Sequence, residues 1–183
     1  MDGVAPAGAR SPIRAVVITL SDKARAGLRP DASGPLLREL LLQIGAEVAE
    51  PHVMPDERSE LEQLLISLAD SGNVDLVLTT GGTGLAPRDH TPEATLAVAD
   101  RLVPGFAEAM RTASLAITPH AMLSRATSVV RKRTLIINMP GSPKACREHF
   151  DIIRPALSHA IETLRGEAYE CAAETTIQQT AEL

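Results

Sequence analysis

The 183-residue chain has no tryptophan, and Phe106, Phe150 and Tyr169 are its only aromatic residues. Three rings are too few for a base-stacking platform. Positive charge is not in excess either. Eighteen Lys and Arg against 23 Asp and Glu give a formal net charge of −5, whereas a nucleic-acid binder carries a basic face. The two cysteines, Cys146 and Cys171, have neither CxxC spacing nor a disulfide framework, which points to a reducing cytoplasm. No apolar run approaches the ~20 residues needed to span a bilayer. Met1-Asp2-Gly3-Val4-Ala5-Pro6-Ala7-Gly8 has an acid where a signal peptide has bases, and no apolar h-region. The five histidines, His52, His90, His120, His149 and His159, show no zinc-ligand spacing. No serine or cysteine stands in a nucleophile elbow, so covalent acyl chemistry is not expected.

The apolar pattern predicts an α/β chain. Ile13 to Leu20 is a nearly unbroken run rich in β-branched residues, as in a strand buried on both faces. A polar loop follows, beginning at Ser21-Asp22 and containing Gly27 and Pro30. Ala32 to Ile44 has helical spacing, with Gly45 as its stop signal. Ala46 to Met54 reads as a second strand and Ser59 to Ala69 as an amphipathic helix. Val74 to Leu78 reads as a further buried strand. Pro92 to Leu102 and Gly105 to Leu115 have the pattern of two helices, and Thr91 is the expected N-cap of the first. Ser128 to Val130 and Thr134 to Asn138 fit a hairpin or a strand with a basic turn, Arg131-Lys132-Arg133. Met139-Pro140-Gly141-Ser142-Pro143-Lys144 is expected to open a long helix running to about Arg165. No internal repeat is present. The expected organisation is a flexible tail over 1–12, one domain over 13–165, and a tail or docking segment over 166–183. Strands alternating with helices imply a three-layer α/β/α fold around a mostly parallel sheet.

The polar and glycine-rich segments fall at strand C-terminal ends, which parallel strands gather on one edge of the sheet. Foremost is Thr79-Thr80-Gly81-Gly82-Thr83-Gly84, between a strand and a helix start, where anions bind. It is neither a P-loop, because Leu85 follows Gly84, nor a GxGxxG fingerprint. A ligand-free tight turn is the competing reading. The threonine hydroxyls favour phosphate or carboxylate oxygens. Asp89 beside this loop would repel a phosphate unless Mg²⁺ lay between them; otherwise it pairs with Arg88 or helps to cap the next helix. Asp56, after the second strand, either shares that edge or caps the helix near Arg58. Pro140-Gly141-Ser142-Pro143-Lys144 is a second strand-to-helix transition with anion-binding character, Lys144 supplying charge, or else an ordinary capped helix.

Taken together, Ser21-Asp22-Lys23, Pro55-Asp56-Glu57, the Thr79–Gly84 loop, Arg88-Asp89-His90-Thr91-Pro92-Glu93-Ala94 and Pro140-Gly141-Ser142-Pro143-Lys144-Ala145 resemble the molybdopterin adenylyltransferase family. This is the MoaB/Mog type, related to the gephyrin G domain. Pro104-Gly105-Phe106, Met110-Arg111 and Leu123-Ser124-Arg125 share the likeness, which runs from about Ile13 to Arg165. His90, where an aliphatic residue is usual, and Met139, where leucine is usual, depart from the pattern. The resemblance implies a Mg²⁺-dependent transfer of AMP from ATP to molybdopterin, giving adenylyl-molybdopterin and pyrophosphate, in a homotrimer that serves a downstream molybdenum-insertion protein. It gives the catalytic positions to Asp56 and Asp89, of which Asp89 is the expected Mg²⁺ ligand because of its charge beside the glycine loop. It gives substrate contacts to Ser21, Asp22, Thr80, Gly81, Gly82, Thr83, Gly84, Pro140, Gly141, Ser142 and Lys144. A non-catalytic molybdopterin carrier and a regulatory nucleotide- or anion-binding module are the alternatives. Retention of both acids favours the enzyme.

Overall fold

The computed structural model describes residues 11–167. Seven strands make one sheet: β1 (Arg14–Leu20), β2 (Glu47–Val48), β3 (His52–Met54), β4 (Leu76–Thr80), β5 (Arg101–Leu102), β6 (Ser128–Arg131) and β7 (Thr134–Met139). Their order is β2-β1-β4-β7-β6-β5, with β3 also on β1. β1, β2, β3, β4 and β7 run parallel, while β6 is antiparallel to β7 and β5 to β6.

Alternation along the central strands builds two cores. Ala15 and Val17 of β1, Leu76 and Leu78 of β4, and Leu135 and Ile137 of β7 face one way. There they meet α2 (Ser33–Gln43), α5 (Pro104–Leu115) and α6 (Pro143–Arg165) through Leu37, Leu41, Met110, Phe150 and Leu157. Val16, Ile18, Val77 and Ile136 face the other way, onto α3 (Arg58–Asp70) and α4 (Thr91–Ala97) through Leu61, Leu65, Ala94 and Val98. The result is the expected three-layer arrangement. Asp75 ties its lower end together. Its buried carboxylate accepts from the Arg14 backbone N–H and Nε at 2.9 Å and from Arg165 Nη2 at 2.7 Å.

Several local expectations are corrected. The second strand is two short pieces, β2 and β3, both paired with β1 and interrupted over 49–51, where Pro51 has no N–H to donate. The polar loop after β1 opens with a short helix, α1 (Asp22–Arg25), capped by Ser21 Oγ, which accepts from Ala24 N at 3.2 Å. Thr91 is not the N-cap of α4. His90 occupies that place without a side-chain bond, and Thr91 lies in the first turn with Oγ1 donating to Gly81 O at 2.9 Å. The helix read over Pro92 to Leu102 stops at Ala97, because Arg101 and Leu102 pair with Val130 and Val129 of β6. A 3-10 helix covers Pro119–Leu123, where the apolar spacing gives no helical signal. The hairpin of β6 and β7 is present, with Lys132 at φ 53° in its turn. The expected tails lie outside the described residues, except 11–12 and 166–167.

Candidate active site

Parallel register sets the ends of four strands side by side. Leu20 pairs with Met54, Thr19 with Thr80, and Thr80 with Met139. The next residues, Ser21, Pro55, Gly81 and Pro140, therefore emerge along one edge. Two glycines make the turn there possible. Gly81 has φ +100°, and a Cβ on it would lie 2.3 Å from Leu20 O. Gly82 has φ +63°, and a Cβ would lie 2.3 Å from Thr91 Oγ1. Only glycine tolerates both the backbone and the crowding. A Cβ on Gly141 would lie 3.4 Å from Gly81 Cα, so the two anion-type loops run close beside each other.

Asp22 and Asp56 form a reciprocal pair across this edge. Asp56 Oδ2 accepts from Asp22 N at 3.0 Å, and Asp22 Oδ1 accepts from Asp56 N at 3.1 Å. Arg88 closes the rim, donating to Asp22 at 2.7 and 3.1 Å and to Glu57 at 2.8 Å. Hydrogen bonding to Arg88 holds the exposed Asp22 carboxyl below its ordinary value. Burial pushes the half-buried Asp56 carboxyl up, and the nearby Asp22 and Asp89 charges add to that. Asp89 does not pair with Arg88. Its carboxylate accepts from Ala86 N at 2.9 Å, fixing a turn within the loop.

The hydroxyls of Thr79 and Thr80 are committed internally. Thr79 Oγ1 accepts from Asn138 Nδ2 at 3.0 Å, and Thr80 Oγ1 donates to Pro140 O at 2.6 Å. Cys146 also donates to Pro140 O, and burial pushes its thiol up to about 11. Ser33 Oγ donates to Gly141 O at 2.9 Å, binding the start of α2 to the second loop.

These elements surround a cavity of about 820 Å³, in the upper part of the roughly 300–1,000 Å³ typical of ligand sites. Ser21, Asp22, Asp56, Thr80, Gly81, Gly82, Asp89, Gly141 and Ser142 line it. Thr83, Gly84, Pro140 and Lys144 are not on its wall. Thr83 is buried, and its carbonyl accepts from Arg125 N. Gly84 accepts from Arg125 Nε at 2.7 Å. Pro140 O is occupied by Thr80 and Cys146. Lys144 is largely exposed on α6, 3.8 Å from Glu148. Lining residues that the motifs did not single out are Arg29, Asp31 and Ser33, joined by Lys23. Asp31 accepts from Ser33 N and Gly34 N at 3.0 Å. The run Pro30-Asp31-Ala32-Ser33 before an apolar helix was the sequence signal for it.

Among the described residues, no three His, Cys, Asp or Glu side chains cluster to hold a metal by themselves. Mg²⁺ does not need such a cage, since it is bound by one or two carboxylates plus substrate phosphates. Asp56 and Asp89 line one cavity, and the Asp89 charge adds, after burial and Asp22, to the upward push on the Asp56 carboxyl. A divalent cation would relieve that repulsion, so the donor set fits.

A family model described as "Probable molybdopterin binding domain" matches residues 16–159. The chain is 42% identical over 152 residues to a molybdopterin adenylyltransferase of Helicobacter pylori strain J99, covering 82% of this chain and 86% of that one. It is 45% identical over 152 residues to the molybdopterin adenylyltransferase of Escherichia coli K12, covering 81% and 77%. The crystal structure of the molybdopterin biosynthesis enzyme MoaB from Thermus thermophilus superposes with a TM-score of 0.80 at 46% identity, covering 86% of this chain and 99% of that one. With the match spanning both glycine loops and both acids, the chain belongs to the molybdopterin-binding-domain family, among its molybdopterin adenylyltransferase members.

Proposed function

We propose that the chain is a molybdopterin adenylyltransferase that uses Mg²⁺. The observation that carries this reading is the convergence of two glycine loops and two acids, Asp56 and Asp89, on one cavity at the strand C-termini. A terminal phosphate oxygen of molybdopterin attacks the α-phosphorus of ATP. The bond from that phosphorus to its β-bridging oxygen breaks, and pyrophosphate leaves. The attacking phosphate is already largely ionised at neutral pH, because its second pKa is ~6, so the site needs no strong general base. What it must supply is alignment and neutralisation of charge. Gly81, Gly82 and Gly141 let backbone come close to phosphate oxygens. Lys23 and Arg29 on the wall supply the positive charge that the Pro140–Lys144 motif suggests for Lys144. Asp56 and Asp89 would hold Mg²⁺, which when bound neutralises the polyphosphate.

A cytoplasmic location suits a product that is passed on to a molybdenum-insertion protein. Among the described residues no helix is long and apolar enough to cross a membrane, and Cys146 is a free buried thiol. A homotrimer is part of the same proposal. Pyrophosphate release from ATP with molybdopterin and Mg²⁺ tests the function. Wild type turns over, and Asp89→Ala slows by about 100-fold, the scale of losing one charge-stabilising group. Tight molybdopterin binding with no pyrophosphate above background would make the chain a carrier instead.

A further inference from the structure

The segment from Thr83 to His90 carries Asp89 yet has little structure of its own. Within it, the Asp89 backbone N–H bonds to Ala86 O, and the Asp89 carboxylate accepts from Ala86 N. Arg88 within it reaches out to Asp22 and Glu57, and its two flanks are joined by one residue that does not line the cavity. Arg125 follows the 3-10 helix, and its backbone N–H donates to Thr83 O at 2.9 Å. Its Nε donates to Gly84 O at 2.7 Å, Nη2 to Asp89 O, and Nη1 to the Glu93 carboxylate. One side chain therefore grips the loop before Asp89, Asp89 itself, and the first turn of α4.

The geometry also connects Arg125 to the carboxylate of Asp89. A Cβ on Gly84 would lie 2.9 Å from Asp89 Oδ2, so the Asp89 side chain rests on Gly84. Arg125 thus holds the carbonyl of the residue beneath the carboxylate and the carbonyl of the residue that bears it. The other carboxylate oxygen of Glu93 is buried without a partner, which leaves that acid dependent on Arg125. A guanidinium is a rigid planar fork, and an ammonium cannot satisfy three spread acceptors in the same way.

We propose that Arg125 is a positioning residue for adenylyl transfer, fixing Asp89 against the cavity without touching substrate. This rests on the reading that Asp89 acts in the transfer. The test compares pyrophosphate release by wild type, Arg125→Lys, Asp89→Ala and the double variant, with molybdopterin binding measured on each. In Arg125→Lys, kcat falls about tenfold or more while KM for ATP and molybdopterin stays within about twofold, the pattern of an interaction realised in the transition state. In the Asp89→Ala background, Arg125→Lys then adds less than about a further twofold loss. An unimpaired Arg125→Lys beside a slowed Asp89→Ala overturns the inference alone. So does a double variant whose losses multiply, or an Arg125→Lys that no longer binds molybdopterin, since the residue then serves the fold at large. An Asp89→Ala enzyme as fast as wild type overturns the underlying reading of Asp89 and the inference with it.

Discussion

Asp56 and Asp75 are both partly or wholly removed from water, and their neighbours drive them in opposite directions. Burial pushes each carboxyl up. At Asp75 that is overcome by hydrogen bonds from Arg14 and Arg165, which hold the carboxyl well below its usual range. Asp56 accepts one backbone bond and faces two other acids. Because Asp75 stays ionised to lower pH in the folded chain than in the unfolded one, its contribution is fully present above the unfolded value of about 3.9. It is lost as pH falls through the depressed folded value. The urea midpoint of the wild type should therefore drop as pH goes from 5 towards 2, and Asp75→Asn should show a flatter dependence. Equal slopes for the two proteins would mean that the arginine pairing does not carry the effect. The placement of Asp56 and Asp89 on one edge was legible from sequence, because parallel strands leave no other place for their C-termini. The use of Thr79 and Thr80 was not. Their hydroxyls read as ligand contacts, but strand register sets Asn138 opposite Thr79, and the Pro140 carbonyl lies within reach of Thr80.

Among the elements, α2, α3 and α6 start and stop within about two residues of their sequence reading, since their spacing and end signals are local. α6 shows this well. Ser142 Oγ accepts from Ala145 N at 3.2 Å, Pro143 occupies the first turn, and Gly166 ends the helix in the left-handed conformation at φ +83°. The end of α4 was hidden because Arg101 and Leu102 find partners on β6, far along the chain, and no local periodicity announces such a pairing. Pro155 is a local cost inside α6. It stands exposed in the helix interior and has no N–H for the carbonyl of Asp151. Pro155→Ala should raise stability in urea unfolding by about 1–3 kcal/mol, as the bond and helix propensity return. A lowered midpoint would mean that the proline relieves a strain the helix otherwise carries.

For the molecule as a whole, several large apolar side chains between β5 and the end of the 3-10 helix are exposed. Leu102, Ile117 and Met122 are 64%, 64% and 70% exposed, and Leu115 and Leu123 lie on the same stretch of α5 and the 3-10 helix. Large exposed apolar surface marks contact with another molecule, which supports the proposed trimer. Sedimentation of the purified chain should give a species of three chains, and Ile117→Asp with Met122→Asp should reduce it to monomers. A wild type that sediments as a monomer at every concentration removes the trimer. The margins of the sheet have a different consequence. β2 and β5 are two residues long and β3 is three, while the long apolar strands β1, β4 and β7 each have neighbours on both sides. A stub of two residues offers too few free N–H and carbonyl groups to recruit a strand from another chain. The long apolar strands of the described sheet are therefore those the fold keeps out of reach, which disfavours edge-to-edge association of the native protein.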